Sequence, residues 1–179
     1  LDVMGEDYMR YVKQAVTENW IDVYEKPAKA SGGASLGVYG VHPYILLNYS
    51  DNFNSVSTLA HESGHNVHHQ FVNECNPLQY RNPGSLVAEV VSLTNECLLS
   101  SYLAEHGATK EEKLAGIANI LGVITSNLFD AVREGKLEQD MYKEVLKNGI
   151  VTKDFLDKKT KSSLRKFYGK AVKLDKYSV

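Results

Sequence analysis

The chain has 179 residues, 43% of them hydrophobic and 23% charged, with a formal net charge of -2. That length predicts one compact domain, residues 1–179, with a substantial core, and the charge balance excludes both the basic excess of a nucleic-acid binder and the self-repulsion of an acidic tail. Two cysteines, Cys75 and Cys97, without CxxC spacing argue against a disulfide framework or a cysteine-based zinc site. Apolar runs such as Tyr44 to Leu47, together with an N-terminus lacking a leader-like pattern, predict neither a membrane span nor a signal segment.

Tyr8, Tyr11, Val12, Ala15 and Val16 recur at helical spacing and predict a first amphipathic helix over about Glu6 to Asn19. Between Trp20 and Ser50, a glycine-rich stretch and the β-prone run Pro43 to Tyr49 predict two or three short strands joined by tight turns. Gly32, Gly33, Gly37 and Gly40 lead into no Gly-Lys-Ser/Thr, so this is not a phosphate loop. A helix is expected from Asn52 to about Asn73, with Ser50 and Asp51 as candidate caps. A loop marked by Asn76-Pro77 and Asn82-Pro83-Gly84 then leads to a helix from about Ser85 to Glu105. Thr109-Lys110-Glu111-Glu112 reads as a capping box. It opens a long helix that keeps its apolar period to Met141, with a bend expected near Gly135 and a stop at Asn148-Gly149. A last helix, about Lys153 to Tyr168, closes at Gly169. Lys153 to Lys176 holds nine Lys/Arg against three Asp/Glu, read as a solvated face rather than a nucleic-acid contact, because no aromatic residues interleave with the charges.

The chemistry is concentrated in His61-Glu62-Ser63-Gly64-His65. On a helix, side chains four residues apart stand about 40° apart around the axis and roughly 6 Å along it, so one ion can bridge His61 and His65. Two neutral imidazoles suit zinc, which at a catalytic site takes a third protein ligand and keeps one position open. Glu62, at the edge of the same face, is placed to act as general base. Gly64 leaves room for another helix to approach. His68 returns to the same face but lies too far along the axis to share the ion. It is expected to support or pack near the site, and His69 to be exposed. The third ligand must then come from another element. Glu89, flanked by Ala88, Val90 and Val91, is preferred because a carboxylate among apolar neighbours calls for a positive partner. Glu96, seven residues on and on the same face, could orient a ligand imidazole.

These residues, with Trp20 to Tyr24, Gly37 to Asn48, Thr58 to His65, Ala88-Glu89-Val90 and Thr94-Asn95-Glu96 in order, resemble the oligoendopeptidase F group, relatives of thimet oligopeptidase and neurolysin. The resemblance implies a mainly α fold with a small antiparallel β-sheet (α+β), a zincin-like core within a neurolysin-like helical architecture. It implies one zinc ion held by His61, His65 and Glu89, with Glu62 as catalytic base. It also implies cytoplasmic hydrolysis of short peptides, the substrate lying against the segment around Gly37 to Tyr39. Members of the group are several times longer, and their transition-state donors come from a segment expected beyond Val179. The chain is therefore read as part of a longer oligopeptidase. Within it, Tyr39 and His42 are the candidates for contacting substrate near the oxyanion. The alternative to an active peptidase is a catalytically silent zinc-binding fragment, and a third reading is a module whose histidines merely pack. Oligomeric state is not specified by the sequence.

Overall fold

Helix α1 (Glu6–Thr17) starts with Glu6 and Asp7 in its first turn, where negative charge complements the helix dipole. It buries Tyr8, Tyr11 and Ala15, the spacing of one helical face. Val16, part of that stripe by sequence, faces outward. The computed structural model describes residues 2–82 and 84–175. Pro83 of the expected turn and Lys176 of the basic stretch lie outside them. Where the sequence predicts one domain, the chain divides into two compact units, Leu1–Ile120 and Leu121–Val179.

In the first unit, α1 leads through Trp20 into β1 (Ile21–Asp22), followed by β2 (Ala34–Val38) and β3 (Val41–Leu46). Their order is β1-β3-β2. β2 and β3 form an antiparallel hairpin, with an irregular register between Leu36 and Val38 and a turn at Gly40, whose φ of 79° suits glycine. β1 pairs with β3 in parallel, Ile21 opposite Ile45, so the sheet is mixed rather than wholly antiparallel. The physical reason is the route of the chain: β1 lies on the side of β3 opposite β2. This leaves β2 at an edge, with one side of its backbone unpaired in the sheet.

Helix α2 (Phe53–Cys75) is capped by Asn52, whose side chain accepts from the Ser55 N–H. The cap is Asn52 itself, not Ser50 or Asp51. α2 packs against β2, β3 and α3 (Ser85–His106). At the α2–α3 crossing, a Cβ added to Gly64 would lie 2.8 Å from Ser92 Cα, so the expected close approach of a second helix is present. Tyr8, Tyr11 and Val67 form the core beneath, with Phe71 and Val91 packed against them.

Helix α4 (Lys110–Ile124) opens at the expected cap, with Thr109 Oγ1 accepting from the Glu112 N–H, while the Glu112 carboxylate accepts from the Ala108 N–H rather than from Thr109 as a full capping box would. The chain then passes through a π-helical turn, Thr125–Asp130, into α5 (Ala131–Asn148). The expected irregularity near Gly135 is found instead at this turn. Ser126 and Asn127 side chains donate to the Gly122 and Val123 carbonyls at 3.0 and 2.9 Å, competing for acceptors that a regular helix would use. In the second unit α6 (Lys153–Tyr168) packs against α5. Lys159 reaches Asp140 at 3.0 Å, and Lys153 pairs with Asp157.

Candidate metal centre and active site

Helix α2 carries His61 and His65 one turn apart, with their Nε2 atoms 3.1 Å from each other. From α3, Glu89 brings Oε2 to 3.5 Å from His61 Nε2 and 3.6 Å from His65 Nε2. A tetrahedral zinc with bonds of about 2.0–2.1 Å requires ligand–ligand separations of roughly 3.3 Å. The three atoms already form such a triangle, so these residues fit the ion that the sequence implies. Glu89 nevertheless has 48% of its side chain exposed. Burial therefore does not select it; its position across from His61 and His65 at the α2–α3 crossing does. Ser92, one turn further along α3, donates from Oγ to Glu89 Oε2 at 2.8 Å and holds the carboxylate toward the imidazoles.

His61 is further fixed through its other nitrogen. Nδ1 lies 2.6 Å from Glu96 Oε1, which places the proton on Nδ1 and leaves the Nε2 lone pair facing His65 and Glu89. This hydrogen bond is the main reason the His61 pKa is raised. Burial pushes Glu96 toward higher pKa, but the contacts with His61, Ser57 and Asn119 outweigh it and leave Glu96 below the usual carboxylate range. Ser57 Oγ donates to Glu96 Oε2 at 3.1 Å, and Asn119 donates to Ser57 Oγ and Ser100 Oγ at 3.1 and 2.9 Å. Asn95, fully buried, donates to the Ala60 carbonyl at 2.9 Å, next to His61, and accepts from the Tyr8 hydroxyl at 2.9 Å. Burial, then the neighbouring His61, lowers the His65 pKa.

Glu62 is 7% exposed and lies under the start of β2. Its carboxylate receives a hydrogen bond from the Ser35 backbone. A Cβ on Gly33 would sit 3.1 Å from Glu62 Oε1 and 2.6 Å from Thr58 Cγ2, so only glycine lets the chain pass this close. Desolvation is the leading cause of a raised Glu62 pKa.

Beside His65 opens a cleft of about 640 Å³, lined in part by Gly37, Tyr39, His68 and His69. His69, expected to be exposed, is half-buried because Gly37 lies directly on its ring; a Cβ there would come within 2.4 Å of Nδ1. His68 lines the same cleft, and its pKa is lowered by burial. Tyr39 directs its hydroxyl to the Asn76 carbonyl at 2.8 Å. His42 does not join this group among the described residues. It stacks on Trp20 at 4.5 Å and against Tyr44, on the face of β3 opposite buried Pro43 and Ile45. The structure thus gathers His61, Glu62, His65, Glu89 and Glu96, places Gly37, Tyr39 and His68 alongside, and leaves His42 in an aromatic stack. The supports from Ser92 and Asn95 carry a faint sequence signal, small polar residues on the Glu89–Glu96 face of one helix. Ser57, Asn119 and the cover from Gly33 and Ser35 carry none, because their partners are distant in sequence.

The chain is similar to known peptidases in both sequence and fold. Oligopeptidase PepF of Bacillus subtilis is 32% identical over 97% of this chain, and an oligoendopeptidase F homolog of Borreliella burgdorferi 33% identical over 99%. The chain spans 26% and 30% of their lengths, less than a third of either relative. A solved structure from Chlamydophila abortus, 34% identical, superposes with a TM-score of 0.81 over 99% of this chain and 30% of that one. A Bacillus anthracis structure, 15% identical with a TM-score of 0.69 over 95% of this chain and 30% of its own, shares the fold. The pattern that defines Peptidase family M3 matches residues 2–179, and with the fold and these relatives in accord, the chain belongs to Peptidase family M3.

Proposed function

We propose that this chain carries the catalytic core of a zinc-dependent metallopeptidase that hydrolyses short peptides in the cytoplasm. The observation that supports it most is the triangle of His61 Nε2, His65 Nε2 and Glu89 Oε2, with edges of 3.1 to 3.6 Å, one residue away from the buried Glu62 carboxylate. His61, His65 and Glu89 would hold one zinc ion. When bound, zinc supplies a Lewis acid that polarises a peptide carbonyl and makes a nearby water more acidic. Glu62 accepts the proton of the attacking water and then delivers it to the departing amine. Glu96 keeps His61 in the tautomer that ligation needs. The open edge of β2, around Gly37, offers backbone groups on which an extended peptide can lie.

Cleavage of quenched fluorescent peptides by the zinc-loaded protein, with and without Glu62→Gln, tests this reading. The variant is expected to lose at least about 100-fold in rate while retaining zinc, the usual scale for a general base. Equal rates would remove Glu62 from the role. A second reading follows from the span of the chain, less than a third of the relatives it matches: a zinc-binding core that turns over no peptide by itself. One equivalent of zinc in the wild-type chain with no cleavage supports that reading over the first.

A further inference from the structure

The cleft beside His65 is built from four directions. α2 forms its floor through His65, His68 and His69; the β2–β3 hairpin forms one wall through Gly37 and Tyr39; the loop after α2 and the first turn of α3 supply Arg81 and Ser85. The loop is fastened in place. The Tyr39 hydroxyl holds the Asn76 carbonyl at 2.8 Å, and Asn76 Nδ2 donates to the Tyr80 carbonyl at 3.3 Å. The Arg81 N–H closes a short turn on the Leu78 carbonyl at 3.3 Å. These contacts tie down the loop that carries Arg81, one of the residues lining the cleft.

The charge inside this cleft has one sign. Among the described residues that line it there is no Asp or Glu, and Arg81 is the single permanently charged side chain. Arg133, by contrast, is paired with Asp130 and Glu134; Arg81 has no acidic partner among the described residues. Its neighbours in the cleft are imidazoles, Asn73, whose amide is spent on the Val38 and Val41 carbonyls, and Asn82, whose side-chain amide can donate. The start of α3 adds to this, because no side chain caps its first N–H groups. A guanidinium facing a pocket without acids is a site for a planar anion that can take two parallel N–H bonds.

We propose that this cleft is a carboxylate-recognition subsite next to the reacting bond, with Arg81 as the residue that reads the carboxylate of a bound peptide. The inference deepens the peptidase reading and rests on it for the identity of the ligand. Two parts of a peptide offer this group: its C-terminal carboxylate and an Asp or Glu side chain. Either places a substrate by a charged contact that peptide amides lack, and so sets which bond reaches His61, His65 and Glu89.

Binding can be measured apart from turnover in the isotopically labelled, zinc-loaded Glu62→Gln protein. Three probes are titrated by NMR: acetyl-Ala-Ala-Ala as the free acid, the same peptide as its C-terminal amide, and acetyl-Ala-Asp-Ala amide. The Arg81 Nε–H and the Ser85 amide serve as reporters. A C-terminal reading gives about fivefold tighter binding of the free acid than of the amide, the lower range for a charged hydrogen bond on an exposed group. A side-chain reading gives that preference to the Asp peptide instead. In both cases Arg81→Gln must abolish the preference and Arg81→Lys restore part of it. Arg81 is exposed, so its replacement leaves the core untouched. Equal affinities for the three probes, a preference that survives Arg81→Gln, or no binding at millimolar peptide each overturn the proposal. Peptide cleavage by the wild-type protein with no carboxylate preference sinks the subsite alone. A preference lost in Arg81→Gln, without wild-type cleavage, supports the subsite and removes the hydrolysis reading.

Discussion

Glu96→Gln leaves the shape of the His61 support intact and takes away its charge. The 2.6 Å contact between His61 Nδ1 and Glu96 Oε1 then becomes a neutral hydrogen bond, or meets an amide N–H that repels the imidazole N–H. Loss of such a partner commonly costs about 10- to 100-fold in metal affinity. Competition against a zinc chelator should show a loss in that range for Glu96→Gln, with circular dichroism unchanged. An unaltered zinc affinity would mean that Glu96 merely packs. At this scale the sequence is most informative where chemistry is local. His61, Glu62 and His65 follow from helical spacing alone, and Glu96 from its seven-residue distance to Glu89. Apolar neighbours in sequence single out Glu89 by an argument from burial, yet its side chain stands half in solvent. What places it is the α2–α3 crossing, which no single-helix pattern encodes.

That crossing rests on small residues, and their effect belongs to the elements rather than to the site. Gly64 faces the backbone of Ser92, where an added Cβ would lie 2.8 Å from Cα and 3.0 Å from N. Backbone atoms cannot rotate away as a side chain can, so α2 and α3 must separate. Gly64→Ala is expected to destabilise the protein by about 1–3 kcal/mol, the usual range for overpacking. Because the same helices carry the ligand atoms, zinc affinity should fall with it. Gly122, where an added Cβ would meet nothing within 4 Å, has an interior place in α4 and is the control. Its replacement by Ala should stabilise by roughly 0.5–1 kcal/mol through helix propensity. Urea unfolding of both variants checks the pair; equal stabilities would show that α3 yields freely at Gly64. Helix ends are legible in the sequence because caps are local, as Thr109 with Glu112 and Gly149 show. The sense of β1 pairing and the π-helical turn at Thr125–Asp130 are not. The first depends on which side of β3 the incoming chain takes, and the second on side chains competing for carbonyls within a stretch whose apolar period never breaks.

At the scale of the whole chain, helical periodicity reads as burial, and here it misleads. Leu121, Leu128 and Val132 carry on the apolar period of the long helix read from the sequence, but they are 60%, 62% and 58% exposed, and Leu146 is 88% exposed. By length and composition the stretch Lys110–Asn148 is even long and apolar enough to cross a membrane, although its apolar residues form no unbroken run in the sequence. Asn119 within it donates to Ser57 and Ser100, which joins α4 to the Glu96 network. Apolar surface of this extent seeks another apolar surface in water. For the 179-residue protein alone, that favours a second copy. Sedimentation velocity over a micromolar to millimolar series should therefore show a sedimentation coefficient that rises with concentration. Leu128→Lys combined with Leu146→Lys should suppress the rise, since charge placed on each exposed position opposes burial without disturbing a packed contact. A monomer at every concentration would show that the stripe is tolerated in solvent, and a rise unaffected by the lysines would place the contact on another surface.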